Sequence, residues 1–333
     1  MTRKFGELPG DGTVEVVTLG SDSGLQAEIL TLGGTLHSLT MPVNGKRIPL
    51  VLSLNDLPSY LADTMYVGQL VGRYANRISG ASFELGGKRY RLTANESSYT
   101  LHGGDVGFGK YIWKILDLED RKHVKLGHRS PAGINGFPGN LDVTALLSLQ
   151  DNLLTLVFEA VTDAPTPISF TWHPYFNLSG NFRVPTTDHR LELAAGHYLP
   201  VSSSWLPTGE IAQVDDTPFD FRKAKSIRVP PKPIHPQLQI AEAFNHYWVL
   251  DGDRDVAGTL YSPESGVHMR IRTSSPGMQV YDGFALRQQY PDTYAVSIEP
   301  ANYPDAPNHP QFPSSILLPG TTHRSQMSFE FSC

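Results

Sequence analysis

The chain has 333 residues, of which 40% are hydrophobic and 18% are charged, and its formal net charge is −6. This composition supplies a sizeable core and excludes wholesale disorder, while the absence of any block of like charge argues against nucleic acid as a partner. The single cysteine, Cys333, excludes an intramolecular disulfide, and the sequence shows neither a signal peptide nor a membrane-spanning stretch, so we expect a cytoplasmic protein.

The predicted elements are almost all β-strands. Only residues 56–62 suggest a short helix, capped by Asn55 or Asp56. The 30 glycines and 26 prolines are too many for a helical protein of this length. Alternating hydrophobic patterns predict strands at 14–19, 25–32, 83–92 (a hairpin around Gly86-Gly87), 141–149, 153–161, 267–273, 295–299 and 325–331. We therefore predict an all-β protein, a large antiparallel sandwich in which residues 1–333 form a single domain.

Two loop segments before the middle of the chain carry polar side chains beside glycines. Residues 72–78 contain Asn76 and Arg77, and His102 precedes Gly103 and Gly104. Glycine lets the backbone approach a ligand closely, so these segments are candidate binding loops. His102 alone could equally be a turn residue.

A histidine lies where the next predicted strand ends. Residues 167–172 alternate in polarity, and Pro174 then removes a backbone donor. Aromatic residues, including Trp172 and Tyr175, flank His173. An imidazole in such surroundings can titrate near neutrality and suits proton transfer to an uncharged ligand, although a buried core histidine is the alternative interpretation.

Glu299 ends a later apolar strand. This carboxylate is either a solvated strand end or a partly desolvated base with a raised pKa. The sequence contains no nucleophile elbow and no phosphate-binding glycine loop, and its 12 histidines lack zinc-site spacing.

Taken together, these segments resemble the aldose 1-epimerase family over almost the whole chain. The resemblance is carried, in family order, by residues 32–52, 72–78, 101–104, 171–180, 206–210, 217–221, and Glu299 with 304–308. It implies a galactose mutarotase-like β-supersandwich, monomeric or homodimeric, that uses neither metal nor cofactor. The implied reaction interconverts the α and β anomers of a free aldose such as galactose or glucose.

The resemblance also implies roles for individual residues. Glu299 would be the base, His173 the acid, and His102 would assist near the ring oxygen. The implied substrate-binding residues are Asn76, Arg77, Asn245, Gln279, Trp172 and Tyr175.

Three positions depart from the family pattern. Asn245 stands where an aspartate is usual, Trp172 where an asparagine is usual, and Ala301 where a glutamine is usual. These changes leave two further hypotheses: the same acid–base chemistry on a less hydroxylated cyclic metabolite, or a non-catalytic sugar-binding protein. A hexose phosphate would need a cluster of cations, and only Arg73 and Arg77 stand near the expected site.

Overall fold

The computed structural model describes residues 2–229, 235–252 and 254–333. In the first half of the chain the strands are β1 (Thr2–Leu8), β2 (Gly12–Gly20), β3 (Gln26–Leu30), β4 (Thr35–Val43), β5 (Lys46–Pro49), β6 (Leu70–Val71), β7 (Arg77–Ile78), β8 (Ser82–Leu85), β9 (Lys88–Arg91), β10 (Thr100–Leu101), β11 (Lys114–Glu119), β12 (His123–Ser130), β13 (Leu141–Gln150) and β14 (Leu153–Thr162).

The second half adds β15 (Thr166–Pro167), β16 (Thr171–Trp172), β17 (Tyr175–Phe176), β18 (Arg190–Leu193), β19 (His197–Leu199), β20 (Ala212–Gln213), β21 (Lys225–Ser226), β22 (Asn245–Val249), β23 (Gly258–Tyr261), β24 (His268–Thr273), β25 (Gly277–Tyr281), β26 (Val296–Ala301), β27 (Ile316–Leu317) and β28 (His323–Ser332). The α-helices of the described residues are α1 (Leu57–Ala62), α2 (Pro236–Ile240) and α3 (Leu286–Gln289).

Three antiparallel sheets dominate the architecture. The largest has nine strands in the order β11-β12-β13-β14-β28-β24-β23-β18-β21. A six-stranded sheet follows the order β17-β26-β25-β22-β19-β20, and β1 to β5 form a five-stranded sheet in chain order. One hydrophobic core joins all three, with Ile29, Phe158 and Ile298 as members from the five-, nine- and six-stranded sheets. The prediction of an all-β supersandwich is confirmed. None of the described helices is long and apolar enough to cross a membrane.

Local sequence signals account well for the long strands. β13 buries every second residue from Leu141 to Leu149, as its alternating pattern predicts, and it pairs with β14 along its full length. The hairpin of β8 and β9 turns through Gly86 and Gly87, whose φ angles are +59° and +74°. Glycine adopts such left-handed angles without a Cβ clash. Asp56 caps α1, because its Oδ1 accepts the Ser59 N–H at 2.9 Å.

Three details differ from the sequence prediction. The stretch before His173 is extended but divided between β15 and β16, which pair with different partners and are buried on both faces. β26 continues past Pro300, where it was expected to stop. A proline is tolerated there because β17 pairs with β26 only at Val296 and Ser297. The helices α2 and α3 are short and carry no clear periodic signal.

The six-stranded sheet has one face on the core and one face toward a cavity. Val296 and Ile298 of β26 join the core, so Ser297 and Glu299 point the opposite way. Glu299 of β26 pairs with Gln279 of β25. Tyr281, also in β25, pairs with Asn245 of β22. Three neighbouring strands therefore present polar side chains on one surface.

Candidate active site

A cavity of about 180 Å³ lies against this face of the six-stranded sheet. Its volume is below the roughly 300–1,000 Å³ of pockets for drug-sized ligands, so it suits a small molecule. A larger groove of about 560 Å³ crosses strands β11 to β14, and the residues that line it include the Arg129–Asp142 ion pair but neither His173 nor Glu299. The smaller cavity is lined by most of the polar residues singled out in the sequence: Asn76, Arg77, His102, His173, Tyr175, Asn245 and Glu299.

Glu299 and His173 form the centre of the cavity. Glu299 Oε1 lies 3.3 Å from His173 Nε2, and both side chains are about 95% buried. Ser297 Oγ lies 3.4 Å from the other imidazole nitrogen, Nδ1. Burial raises the pKa of Glu299 to about 8, although Ser297 and Arg77 oppose this shift. Burial also lowers the pKa of His173 to about 4. Between those values the pair holds a single proton.

His102 is fixed in one tautomer. Its Nδ1 accepts the backbone N–H of Asn76 at 3.1 Å, so in the neutral ring Nε2 carries the proton. Burial, together with His173 and Arg77, lowers the pKa of His102 well below its usual value. The ring centroids of His102 and His173 are 5.4 Å apart.

His102, His173 and Glu299 form a compact group. One ring nitrogen of each histidine and one carboxylate oxygen of Glu299 lie within 4.8 Å of one another. One small ligand group can therefore contact all three. The same spacing would let them share one ion, which the proton transfer proposed below does not require.

Arg77 lies in the cavity wall, and neighbouring side chains hold its guanidinium group in place. Its Nη2 lies 3.2 Å from both carboxylate oxygens of Glu96. Its guanidinium carbon also lies 5.3 Å from the ring centroids of Tyr99 and Trp205. Two aromatic contacts and an ion pair thus restrain one long side chain. Arg73 lies elsewhere: it is buried and donates to the backbone oxygens of Ser130, Pro131 and Pro138.

Gln279 and Trp172 lie outside the main cavity. Gln279 Nε2 donates to Asn245 Oδ1 at 2.7 Å, and Gln279 lines a small adjoining pocket that shares Asn245 with the main cavity. Trp172 belongs to the hydrophobic core, where its Nε1 is buried and has no hydrogen-bond partner among the described residues. The structure does not bring Trp172 to the cavity, where the sequence led us to expect that it binds the substrate.

Several cavity residues were not identified from the sequence. Tyr66 contacts the rings of His102 and His173. Trp205, which packs on the Arg77 guanidinium, also contacts the Phe284 ring edge-on. Tyr66 and Trp205 both have left-handed backbone angles, with φ of +58°. Such angles are uncommon for aromatic residues, and nothing in the local sequence signals them. Phe284 lies just before α3, another element that was not predicted.

Comparisons with known proteins agree with this fold. The aldose 1-epimerase family model matches residues 15–330. The galactose mutarotase of Mus musculus is 36% identical over 98% of this chain and 97% of its own length. The aldose 1-epimerase of Escherichia coli (strain K12) is 30% identical over 97% and 96%.

Solved structures lead to the same family. A GalM/aldose epimerase homologue from C. elegans is 28% identical, has a TM-score of 0.85 and covers 96% of this chain and 99% of its own. A galactose 1-epimerase from Lactobacillus acidophilus is 26% identical, has a TM-score of 0.87 and covers 100% and 98%. A matching family model over nearly the whole chain and relatives of 30–36% identity give one conclusion: the chain belongs to the aldose 1-epimerase family of isomerases.

Proposed function

We propose that the protein interconverts the α and β anomers of a free aldose, with Glu299 as the base and His173 as the acid. The observation that carries the proposal is the buried pair itself, a carboxyl and an imidazole 3.3 Å apart in a cavity for a small ligand. Ring opening of a hemiacetal needs one group to remove the anomeric O–H proton and another to protonate the ring oxygen. This pair supplies both groups without any covalent intermediate.

The proton balance of the reaction fits a pair that holds one proton. The single proton rests on Glu299, and the reacting tautomer is the one in which it lies on His173 instead. In that tautomer the ionised Glu299 takes the proton of the anomeric hydroxyl, the bond between C1 and the ring oxygen breaks, and His173 delivers its proton to that oxygen. The product is an open-chain aldehyde, and the pair still holds one proton. Rotation about C1–C2 presents the other face of the aldehyde, and the two transfers then reverse.

The remaining cavity residues orient the sugar. The tautomer of His102 directs an N–H donor from Nε2 toward the group that His173 and Glu299 contact. Asn76, Arg77 and Asn245 hold ring substituents, and Tyr175 forms part of the wall beside His173, with ring centroids 5.0 Å apart. Gln279 acts through Asn245, to which it donates.

Two alternatives receive less support from these contacts. A hexose phosphate, whose charge is close to −2, would require a cluster of cations, but Arg73 faces backbone carbonyls and Arg77 alone of the two arginines lines the cavity. A purely sugar-binding protein would not need a buried ionisable pair, which is costly to desolvate. We further propose that the chain acts as one domain over 1–333, in the cytoplasm, as a monomer or homodimer, and on small sugars rather than nucleic acid.

Anomer exchange of freshly dissolved α-D-galactose and α-D-glucose tests the proposal directly. Polarimetry should show acceleration by the protein and loss of that acceleration in Glu299→Gln. Glu84→Gln is a matched control, because Glu84 is an exposed residue of β8, and it should keep the full rate. A Glu299→Gln protein that turns over sugar at the normal rate would remove Glu299 as the base.

A further inference from the structure

Two side chains on one wall of the cavity have an acceptor that bonds to the backbone and a donor that does not. The backbone N–H of Arg77 donates to Asn76 Oδ1 at 2.9 Å, and the N–H of Asn76 donates to His102 Nδ1 at 3.1 Å. A backbone N–H can only donate, so the lone pair of His102 Nδ1 is engaged, and so is one of the two lone pairs of Asn76 Oδ1. Asn76 Nδ2 and His102 Nε2–H remain available to a ligand.

The facing strands repeat this arrangement. The N–H of Ala285 donates to Tyr281 Oη at 2.9 Å, which leaves the phenolic hydrogen free to donate. Gln279 Nε2 occupies Asn245 Oδ1 at 2.7 Å, so Asn245 presents its Nδ2. Arg77 adds a guanidinium whose Nη2 alone is used by Glu96.

Among the described residues that line the cavity, the charged acceptors are already committed. Of the two carboxylates that line it, Glu96 pairs with Arg77 and Glu299 is the proposed base. A sugar hydroxyl both donates and accepts. When it is buried against more donors than acceptors, its own hydrogen has few partners, and an unpaired buried donor is costly. A carboxylate has two accepting oxygens and no hydrogen to place, so it matches such a wall.

We propose that the preferred substrate is an aldose that carries a carboxylate, a hexuronate in its free reducing form. This inference rests on the proposed function, since it names the substrate class of the same reaction. The carboxylate contacts the donors of Asn76, Asn245 and Arg77, and Asn245 determines specificity. An aspartate at position 245 would place a negative charge against the substrate's own, whereas it would supply a neutral hexose with the missing acceptor.

Anomer exchange measured by NMR saturation transfer compares the substrates without the need for pure anomers. The probes are D-galacturonate, D-galactose and N-acetyl-D-glucosamine, whose amide carbonyl is an uncharged acceptor. We expect kcat/KM for galacturonate to exceed that for galactose by about tenfold or more, as a charge-assisted hydrogen bond would give. Galactose or N-acetylglucosamine turned over as well as galacturonate would overturn the inference.

The variant Asn245→Asp tests the named residue. It should reverse the preference, lowering kcat/KM for galacturonate and raising that for galactose, each by about tenfold. Gln213→Glu is the matched control, because it adds the same charge at an exposed position of β20 and should leave the ratio unchanged. Asn245→Ala, which adds no charge, should weaken galacturonate turnover without favouring galactose.

The outcomes separate the two proposals. If galactose exchanges and galacturonate does not, the substrate class is wrong and the anomerase function stands. If Asn245→Asp folds normally and the preference is unchanged, Asn245 is not the specificity residue and the inference fails. If none of the three sugars exchanges with the wild-type protein, both proposals are overturned.

Discussion

Glu299→Gln should abolish turnover and at the same time stabilise the fold. The carboxyl is almost completely buried, and its pKa is raised from an ordinary 4.5 to about 8 because burial disfavours the charged form. In the unfolded chain the same group loses its proton near pH 4.5. Folding at neutral pH must therefore return a proton to Glu299. A glutamine has the same shape but does not ionise, so the variant folds without taking up this proton.

The magnitude and its sign follow from the two pKa values. Because the folded pKa is the higher one, the contribution of Glu299 to stability is best below about pH 4.5 and declines as pH rises toward about 8. At pH 7, about 2.5 pH units above the unfolded pKa, the difference amounts to roughly 3 kcal/mol at ~1.36 kcal/mol per unit. At pH 5 it is only about 1 kcal/mol. This is a large part of the roughly 5–15 kcal/mol by which domains are stable.

Urea unfolding of wild type and Glu299→Gln between about pH 5 and pH 8 measures this difference. The advantage of the variant in the free energy of unfolding should grow steadily with pH. Glu84→Gln makes the same chemical change on the surface and should show no such growth. A Glu299→Gln protein that is no more stable than wild type at pH 8 would refute the idea that burial holds this carboxyl protonated.

Other expected outcomes concern catalysis and the cavity wall. The pH dependence of kcat should be bell-shaped, rising as the pair loses its second proton near pH 4 and falling as it loses the last one near pH 8; a rate that still climbs at about pH 9 would contradict the one-proton pair. His173→Asn should lower kcat by roughly 10²–10⁴-fold, whereas an unchanged kcat in stopped-flow polarimetry would exclude the acid role. Trp205→Ala should raise KM several-fold, because it removes the binding free energy that depends on one cation–π contact with Arg77. It should leave kcat nearly constant. Trp205→Phe should restore KM, and a fall in kcat instead would assign Trp205 to the chemistry.

Much of the candidate site was predictable because its residues stand in recognisable segments. His173 follows a strand among aromatics, His102 precedes two glycines, and Glu299 ends an apolar strand, and all three line or adjoin one cavity. The alternation along β26 sends Val296 and Ile298 to the core, so it also implies that Glu299 faces away from it.

Other parts of the site depend on contacts that no local pattern encodes. Arg73 and Arg77 belong to one segment, yet one faces backbone carbonyls and the other the cavity. Trp172 adjoins His173 but packs into the core, because successive side chains of a strand point to opposite faces. Trp205 lies in an irregular loop, has a left-handed backbone angle and packs on the Arg77 guanidinium.

The sequence by itself determined the fold class, the long strands and the family, because hydrophobic alternation and motif order are properties of neighbours along the chain. Only the tertiary structure decided which polar atoms meet. It brought His173 and Glu299 to 3.3 Å from segments more than 100 residues apart. It also buried both groups, and burial is what moves their pKa values. Whether Asn245 offers a donor or an acceptor was likewise settled by Gln279 on the neighbouring strand, since a hydrogen-bond partner across a sheet is chosen by register and not by sequence distance.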